Sequence, residues 1–487
     1  LARAVLARAS SGVSFSILTS VYSRTPAQFF ELTARSLLEQ RHPDFEWIVL
    51  ENGPVSDDVV RVLDRISADR RVKRFACAEN AGIQGAMRQC LARATRRFAI
   101  PLDADDLLEP DALQVLAAAI DREQADFVFS DEDHLDGDRV RAPYSRPGFD
   151  PVLNLESSYI WHLCAFSRER ALELGAYTDQ EAEYCHDWDT VVRFSEAGLR
   201  IAHVPHVLYH WRTHAESQSN TETQNPGSVA SMRAVLEAVL ARRGAAERYE
   251  IAEFPLFRGA VEWWIRRRPI GDPGLAVVVL GATDADVNAL AHVPGFSIAS
   301  HIVPVRRGLD TLSDWRALGD ALPRNVPRIA LIDLRCRPTT QEWVWEATKW
   351  FELQSDAAIV GGRILDDRDV VVDAGSRITA YETMTPYRGL HRTDAGAFAL
   401  ALKPQTIAAP ADGFVVVERR FLEAAIESVT REGFTRRLGA TLGALANAQH
   451  RRVIYSPLVE ARITRIPRDF APRVEDTFLA DEALRLA

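Results

Sequence analysis

The segment RRFAIPLDADD (96–106) decides how the first half of the chain is read. An apolar run of strand length ends directly in alternating carboxylates, Asp103, Asp105 and Asp106, and a helical pattern starts just after Pro110. The segments on either side alternate in the same way. Upstream, VSFSILTSVY (13–22), DFEWIVLENG (44–53) and VKRFACAEN (72–80) read as strands. Between them, PAQFFELTARSLLEQ (26–40), SDDVVRVLDRISAD (56–69) and residues 83–95 carry helical spacing. Downstream, EPDALQVLAAAIDRE (109–123) and ADFVFSDEDHL (125–135) continue the alternation. This β-α-β-α order predicts an α/β domain with an open, mainly parallel sheet flanked by helices. Ligands of such sheets bind beyond the carboxyl ends of the strands, where Thr19, Glu51, Asn80 and Asp103 fall.

The whole chain has 487 residues, long enough for two domains. It is 47% hydrophobic and 26% charged, which excludes a disordered, collagenous or coiled-coil protein. Lys+Arg 58 against Asp+Glu 68 gives a net charge of −10, so no nucleic-acid partner is expected. The five cysteines, at 77, 90, 164, 185 and 336, include no C-x-x-C pair and read as reduced thiols. No apolar run reaches the ~18 residues of a spanning helix. A cytoplasmic protein is expected, with peripheral attachment to the inner face of a membrane left open.

The sequence divides into a lead segment (1–12), a first domain (13–247), a linker (248–274), a second α/β domain (275–465) and a charged tail (466–487). The second domain reads as a worn copy of the first. RIALIDLRCRP (328–338) falls where RFAIPLDADDL (97–107) stood, DAAIVGG (356–362) parallels ADFVFSD (125–131), and RVIYSPLVEAR (452–462) matches RIAHVPHVLYH (200–210). Arg335 replaces Asp105, and residues 434–450 contain no carboxylate.

Three features carry chemistry. Alternating carboxylates after a strand can surround a hard divalent cation, Mg²⁺ or Mn²⁺, and an acidic turn before a helix is the competing reading. An EF-hand is excluded, because the loop lacks Gly at its sixth position and Glu at its twelfth. Cys185-His186-Asp187-Trp188-Asp189 opens a helix, where a carboxylate is held ionised and can serve either as a base or as an N-cap. His210-Trp211-Arg212-Thr213-His214 offers a metal ligand and a phosphate clamp after a strand.

Taken in order, these segments resemble the GT-A-fold glycosyltransferases of family 2, especially bacterial members that assemble O-antigen and related surface polysaccharides. The resemblance is carried by SILTSVYSR (16–24), WIVLENG (47–53), ENAGIQGAMR (79–88), PLDADDLLEPDAL (101–113) and SDEDHLDG (130–137). It continues through SYIWHLCAFSRERALELGAY (158–177), HDWD (186–189) and VLYHWRTHAESQS (207–219). Residues 275–465 resemble a second such domain stripped of its metal and base motifs, and so inactive.

The resemblance implies a fold, a Rossmann-like GT-A domain followed by a GT-A-like one, and a set of roles. Thr19, Tyr22, Glu51, Asn80 and Gly82 would bind the nucleotide sugar, with Asp103 toward the ribose and Arg212 on the diphosphate. Asp103, Asp105 and His214 would hold Mn²⁺ or Mg²⁺, with His210 as the reserve ligand. Asp187 would be the catalytic base of an inverting hexosyltransferase. Trp161, His186 and Trp188 would face the acceptor. Many members have Glu or Gln before the base where this chain has His186, which leaves that neighbour's role open. The implied donor is a UDP- or dTDP-hexose, and the implied acceptor a glycan or lipid-linked glycan of the bacterial surface. The alternative is a non-catalytic relative that binds glycan or nucleotide. Asp366, Asp367 and Asp369 read as solvated charge in a turn.

Overall fold

The computed structural model describes residues 12–463 apart from 138, 215–225, 258–260, 307–308, 310, 379–382 and 433–436. The expected lead segment up to residue 11 and the expected tail lie outside the described residues, as does most of the polar stretch QSNTETQNP (218–226), whose composition reads as a loop. The chain forms two compact units, Leu1–Val239 and Leu240–Ala487.

The first unit runs β1 (Phe15–Val21), α1 (Ala27–Leu38), β2 (Phe45–Asn52), α2 (Asp57–Ile66), β3 (Val72–Cys77), α3 (Gly82–Arg93), β4 (Phe98–Pro101) and β5 (Leu107–Leu108). It continues with α4 (Ala112–Glu123), β6 (Phe127–Asp136), β7 (Arg139–Tyr144), α5 (Pro151–Leu155), β8 (Cys164–Ser167), α6 (Arg168–Glu173), α7 (His186–Glu196) and β9 (Ile201–Thr213). Helix α8 (Pro226–Arg242) crosses into the second unit.

The strands order as β3-β2-β1-β4-β8-β6-β9-β5, with β7 on the outside of β6. Strands β1 to β4 pair in parallel, as do β6 and β9. Strand β8 runs antiparallel between β4 and β6. The expected α/β arrangement is present, and the chain order turns back at β1, so β1 and β4 flank the crevice where such sheets place ligands. Helices cover both faces. Accordingly β1 and β2 are buried nearly throughout, and Phe15, Ile17, Trp47, Phe98 and Leu116 meet in one core.

The second unit runs β10 (Tyr249–Glu253), β11 (Trp263–Arg267), β12 (Leu275–Leu280), α9 (Val287–Leu290), β13 (His301–Val305), α10 (Leu312–Ala321), β14 (Arg328–Asp333) and β15 (Cys336–Pro338). There follow α11 (Glu342–Leu353), β16 (Ala357–Leu365), β17 (Val371–Asp373), β18 (Arg377–Ile378), β19 (Thr383–Met384) and β20 (Gln405–Ile407). The last elements are β21 (Phe414–Glu418), α12 (Arg419–Glu432), α13 (Leu438–Ala448) and β22 (Arg452–Ile463).

The order β13-β12-β14-β21-β16-β22-β15 reproduces that of the first unit strand for strand, without a counterpart of β3. Pair directions also agree: β12–β14 and β16–β22 are parallel, and β21 is antiparallel to both neighbours. The β9/β22 match holds residue for residue, since Tyr209 pairs with Leu108 where Ala461 pairs with Pro338. The other two matches slip by one. The amide of Arg168 donates to Arg97 O and that of Arg419 to Pro327 O, which sets Phe98 opposite Arg328. Under this register Asp103, Asp105, Asp106 and His162 correspond to Asp333, Arg335, Cys336 and Gly413. Gapless alternation cannot fix such a register, because apolar strand residues are interchangeable and hydrogen bonds are not.

One expectation is corrected. Part of the presumed linker, 248–274, is a two-stranded sheet in which β10 pairs with β11. Trp264 and Ile265 are buried, and Arg266 and Arg267 pair with Glu342 and Glu352 of α11. Arg266 and Arg267 are thus half of an ion-pair layer with α11.

Candidate active site

Strand β4 ends at Pro101, and the next five residues turn across the carboxyl edge of the sheet. Leu102 is held by its amide to Leu18 O, which presents Asp103, Asp105 and Asp106 around the crevice. Asp106 is buried. Its carboxylate accepts from Tyr209 Oη at 2.6 Å and from the Arg212 amide at 2.7 Å. Asp105 Oδ2 lies 2.8 Å from His214 Nε2. Asp103 is open, with its side chain 61% exposed, and His162 Nε2 stands 3.6 Å away.

Asp103, Asp106 and His162 bring ligand atoms within 4.8 Å of one another. Of the three carboxylates in this turn, Asp105 and Asp106 resist ionisation. Burial and the Asp103 charge push Asp105 upward, and burial with both neighbouring charges pushes Asp106 well above the usual carboxylate range. A divalent cation is the natural counter-charge for such a set, and carboxylate oxygens suit a hard ion.

His162 has no role implied by the resemblance. Its ring stacks on Tyr209 with centroids 4.7 Å apart. Nδ1 lies 3.1 Å from Glu132 Oε2, which pairs at 2.8 Å with Arg146, and both of those side chains are fully buried. Burial opposes charge on His162, yet Asp103 and Glu132 hold its proton well above the ordinary imidazole value. A protonated imidazole has no lone pair, so His162 steadies Asp103 as a donor and can ligate a metal only after losing that proton. Strand β6 also aims Asp131 at His203 (2.8 Å) and Asp133 at His210 (2.6 Å). His210 Nε2 further faces Glu109 at 3.3 Å, so His214 rather than the reserve candidate reaches Asp105.

Cys185 occupies the N-cap of α7, and Asp187 is the second helical residue. The capping alternative is thereby removed. Asp187 is half-buried, with no hydrogen bond or ion pair among the described residues, in the first turn where the helix dipole favours a negative charge. Asp187 and Asp103 both act on the buried Tyr177 hydroxyl, whose proton is held mainly by burial and further by these charges. His186 beside it also acts on Asp103.

On the opposite lip, Asn52 ties the 80–82 turn. Its Nδ2 donates to Asn80 Oδ1 and Gly82 O, and its Oδ1 accepts from the Ala81 amide. Gly82 has φ +77°, and a Cβ there would run into the Glu183 carboxylate. Glu183 Oε1 accepts from the Ile83 amide at 2.5 Å, joining this turn to the loop before α7. Tyr22, just after β1, is half-buried under the Arg24 guanidinium.

Several expected contacts are redirected. Thr19 is fully buried and hydrogen-bonds Leu102 O and Trp47, so its side chain braces the sheet instead of lining the crevice. Glu51 is held by both nitrogens of a fork from Arg74, at 2.6 and 3.0 Å, which leaves it already paired. Trp188 is 3% exposed with its indole N–H on Asn154 O, a core position rather than an acceptor wall. Trp161 is half-buried and stacks on Tyr144, with Trp211 at its edge. Arg212 is 4% exposed, packed over Phe29, with Nε on Asp105 O and Nη2 without a hydrogen-bond partner among the described residues. It braces the acidic turn first.

Residues 16–172 match the family model described as glycosyl transferase family 2. This segment is a family 2 glycosyltransferase domain. This chain is 27% identical to the O-antigen biosynthesis protein RfbC of Myxococcus xanthus over 283 residues, 57% of this chain and 21% of that protein. It is also 27% identical to a chondroitin synthase of Escherichia coli over 211 residues, 42% of this chain and 30% of the other. This chain thus spans between a fifth and a third of the length of these curated relatives. Among solved structures, S. aureus TarS 1–349 in complex with UDP-GlcNAc matches 47% of this chain and 67% of its own, at 16% identity and a TM-score of 0.41. No helix among the described residues is long and apolar enough to cross a membrane.

Proposed function

We propose that the chain is an inverting, metal-dependent glycosyltransferase that moves a hexose from a UDP- or dTDP-sugar to a hydroxyl of a bacterial surface glycan. The observation that carries this reading is the gathering of Asp103, Asp105, Asp106, His162 and His214 at the end of β4, with Asp187 next to His186, whose charge acts on Asp103.

Asp103 and Asp105 would hold Mn²⁺ or Mg²⁺, with His214 adjoining, while Asp106 stays committed to Tyr209 and the Arg212 amide. A divalent ion bound there supplies positive charge to the diphosphate as it leaves. Asp187 takes the proton of the acceptor hydroxyl as that oxygen bonds to the anomeric carbon and the sugar–phosphate bond breaks. The 80–82 turn and Tyr22 border the nucleotide side, and Trp161 with His186 the acceptor side.

The second unit is read as non-catalytic. Arg335 stands where Asp105 would, with its guanidinium on Asp333 at 2.6 and 2.8 Å, and Gly413 replaces His162. An internal cation occupies the place of a metal.

The test is nucleotide release from a panel of UDP-, dTDP- and GDP-sugars with and without Mn²⁺. Asp187→Asn should lower transfer by about 10²–10⁴-fold with donor binding retained. Equal transfer by wild type and Asp187→Asn removes the base, and no release from any donor favours a non-catalytic binder.

A further inference from the structure

The second unit holds a cavity of about 490 Å³, within the roughly 300–1,000 Å³ of small-ligand sites. It lies between the β10–β11 sheet, the turn from β15 into α11, the segment at Arg392 and the middle of β22. It shares no residue with the worn counterpart of the acidic turn at Asp333, Arg335 and Gly413.

Its polar wall is built and neutralised in place. Arg266 grips Glu342 at 3.0 and 3.3 Å. Glu460, 3% exposed, accepts from Thr339 Oγ1 at 2.8 Å and pairs with Arg392 at 3.1 Å and with the buried Arg363 at 2.7 Å. Each guanidinium on this wall is thus paired with a carboxylate, and the exposed Glu253 adds a further negative charge, so no cationic surplus attracts a phosphate or a nucleotide. The opposite wall is apolar, from Leu256, Leu458 and Trp264. Trp264 is 4% exposed, and its indole N–H has no hydrogen-bond partner among the described residues.

The apolar side chains of Leu256 and Leu458 beside fixed carboxylates, guanidinium groups and a hydroxyl suit a ligand that is uncharged, carries many hydroxyls and has one apolar C–H face. We propose that this cavity binds a neutral sugar unit of a glycan, at a site separate from the transferase crevice. Hydroxyls of the sugar donate to Glu342, Glu460 and the Thr339 hydroxyl oxygen and accept from Arg266 and Arg392. The glycan context rests on the glycosyltransferase reading, but the chemistry of the cavity does not.

Saturation-transfer NMR on the full chain tests it. The probes are the methyl glycosides of glucose, galactose, N-acetylglucosamine and rhamnose at about 10 mM, in the range where weak sugar sites fill. Methyl glucuronide serves as the anionic arm and UDP with Mn²⁺ as a report on the first unit. Thr340→Trp and Thr393→Trp plug the mouth from exposed rim positions, and Trp264→Phe removes the indole N–H while keeping a ring. The expected result is a neutral glycoside signal that falls at least about tenfold in both plugged variants and weakens in Trp264→Phe, with UDP binding unchanged in all three. Absence of any neutral glycoside signal, persistence of the signal in both plugged variants, or preferred binding of glucuronide overturns the proposal. Failure of UDP to bind wild type counts against the transferase reading instead.

Discussion

His214 Nε2 lies 2.8 Å from Asp105 Oδ2, joining the segment after β9 to the turn after β4 across 109 residues of chain. In the second unit the residue matching Asp105 is Arg335, which folds back on Asp333. One unit presents a carboxylate with an imidazole behind it, the other a carboxylate already neutralised. His214→Ala should therefore raise the Mn²⁺ concentration needed for half-maximal nucleotide release by about 10–100-fold. Arg335→Ala should leave it unchanged. A Mn²⁺ titration of both variants checks this.

Glu132, Arg146 and His162 form a buried relay behind Asp103. Glu132→Ala leaves the Arg146 guanidinium and the His162 ring without their shared carboxylate. Removing one partner of a buried pair costs about 3–5 kcal/mol, so urea unfolding of this variant should show a loss of that size. A loss below about 1 kcal/mol, the level of a surface pair, would contradict the relay.

Asp373 in the second unit is pushed up to about 7, by burial first and then by the nearby Asp412 charge. Its unfolded value is near 3.9. The folded state binds this proton more tightly, so the contribution to stability is full below about pH 4 and is lost as the pH rises through about 7. Unfolding of wild type and Asp373→Asn followed from pH 4 to 8 should show the wild type losing stability relative to the variant over that window. Parallel curves would contradict the assignment.

Much of this was legible in the sequence. Strand and helix alternation gave the first sheet, and motif order singled out Asp103, Asp105 and His214, which the fold brings together at the end of β4. Periodicity does not reveal what a side chain meets after folding. Glu51 at a strand end could not be known to face Arg74, nor Trp188 to bury its N–H on Asn154. Thr19 looked available because it ends an apolar strand, yet the parallel pairing with β4 turns it onto Leu102. His162 went unassigned because its partners, Glu132 and Asp103, are 30 and 59 residues away in the chain. The β10–β11 sheet was hidden because its strands are short and one is rich in arginine, and only pairing with α11 makes those charges structural.

Calorimetric titration of UDP into the full chain, with and without Mn²⁺, tests the central claim most directly. The account predicts binding that strengthens at least about tenfold with Mn²⁺, or about 1.4 kcal/mol. That gain should vanish in Asp105→Ala and persist in Asp333→Asn of the second unit. Equal UDP affinity with and without Mn²⁺, or an undiminished gain in Asp105→Ala, would contradict it.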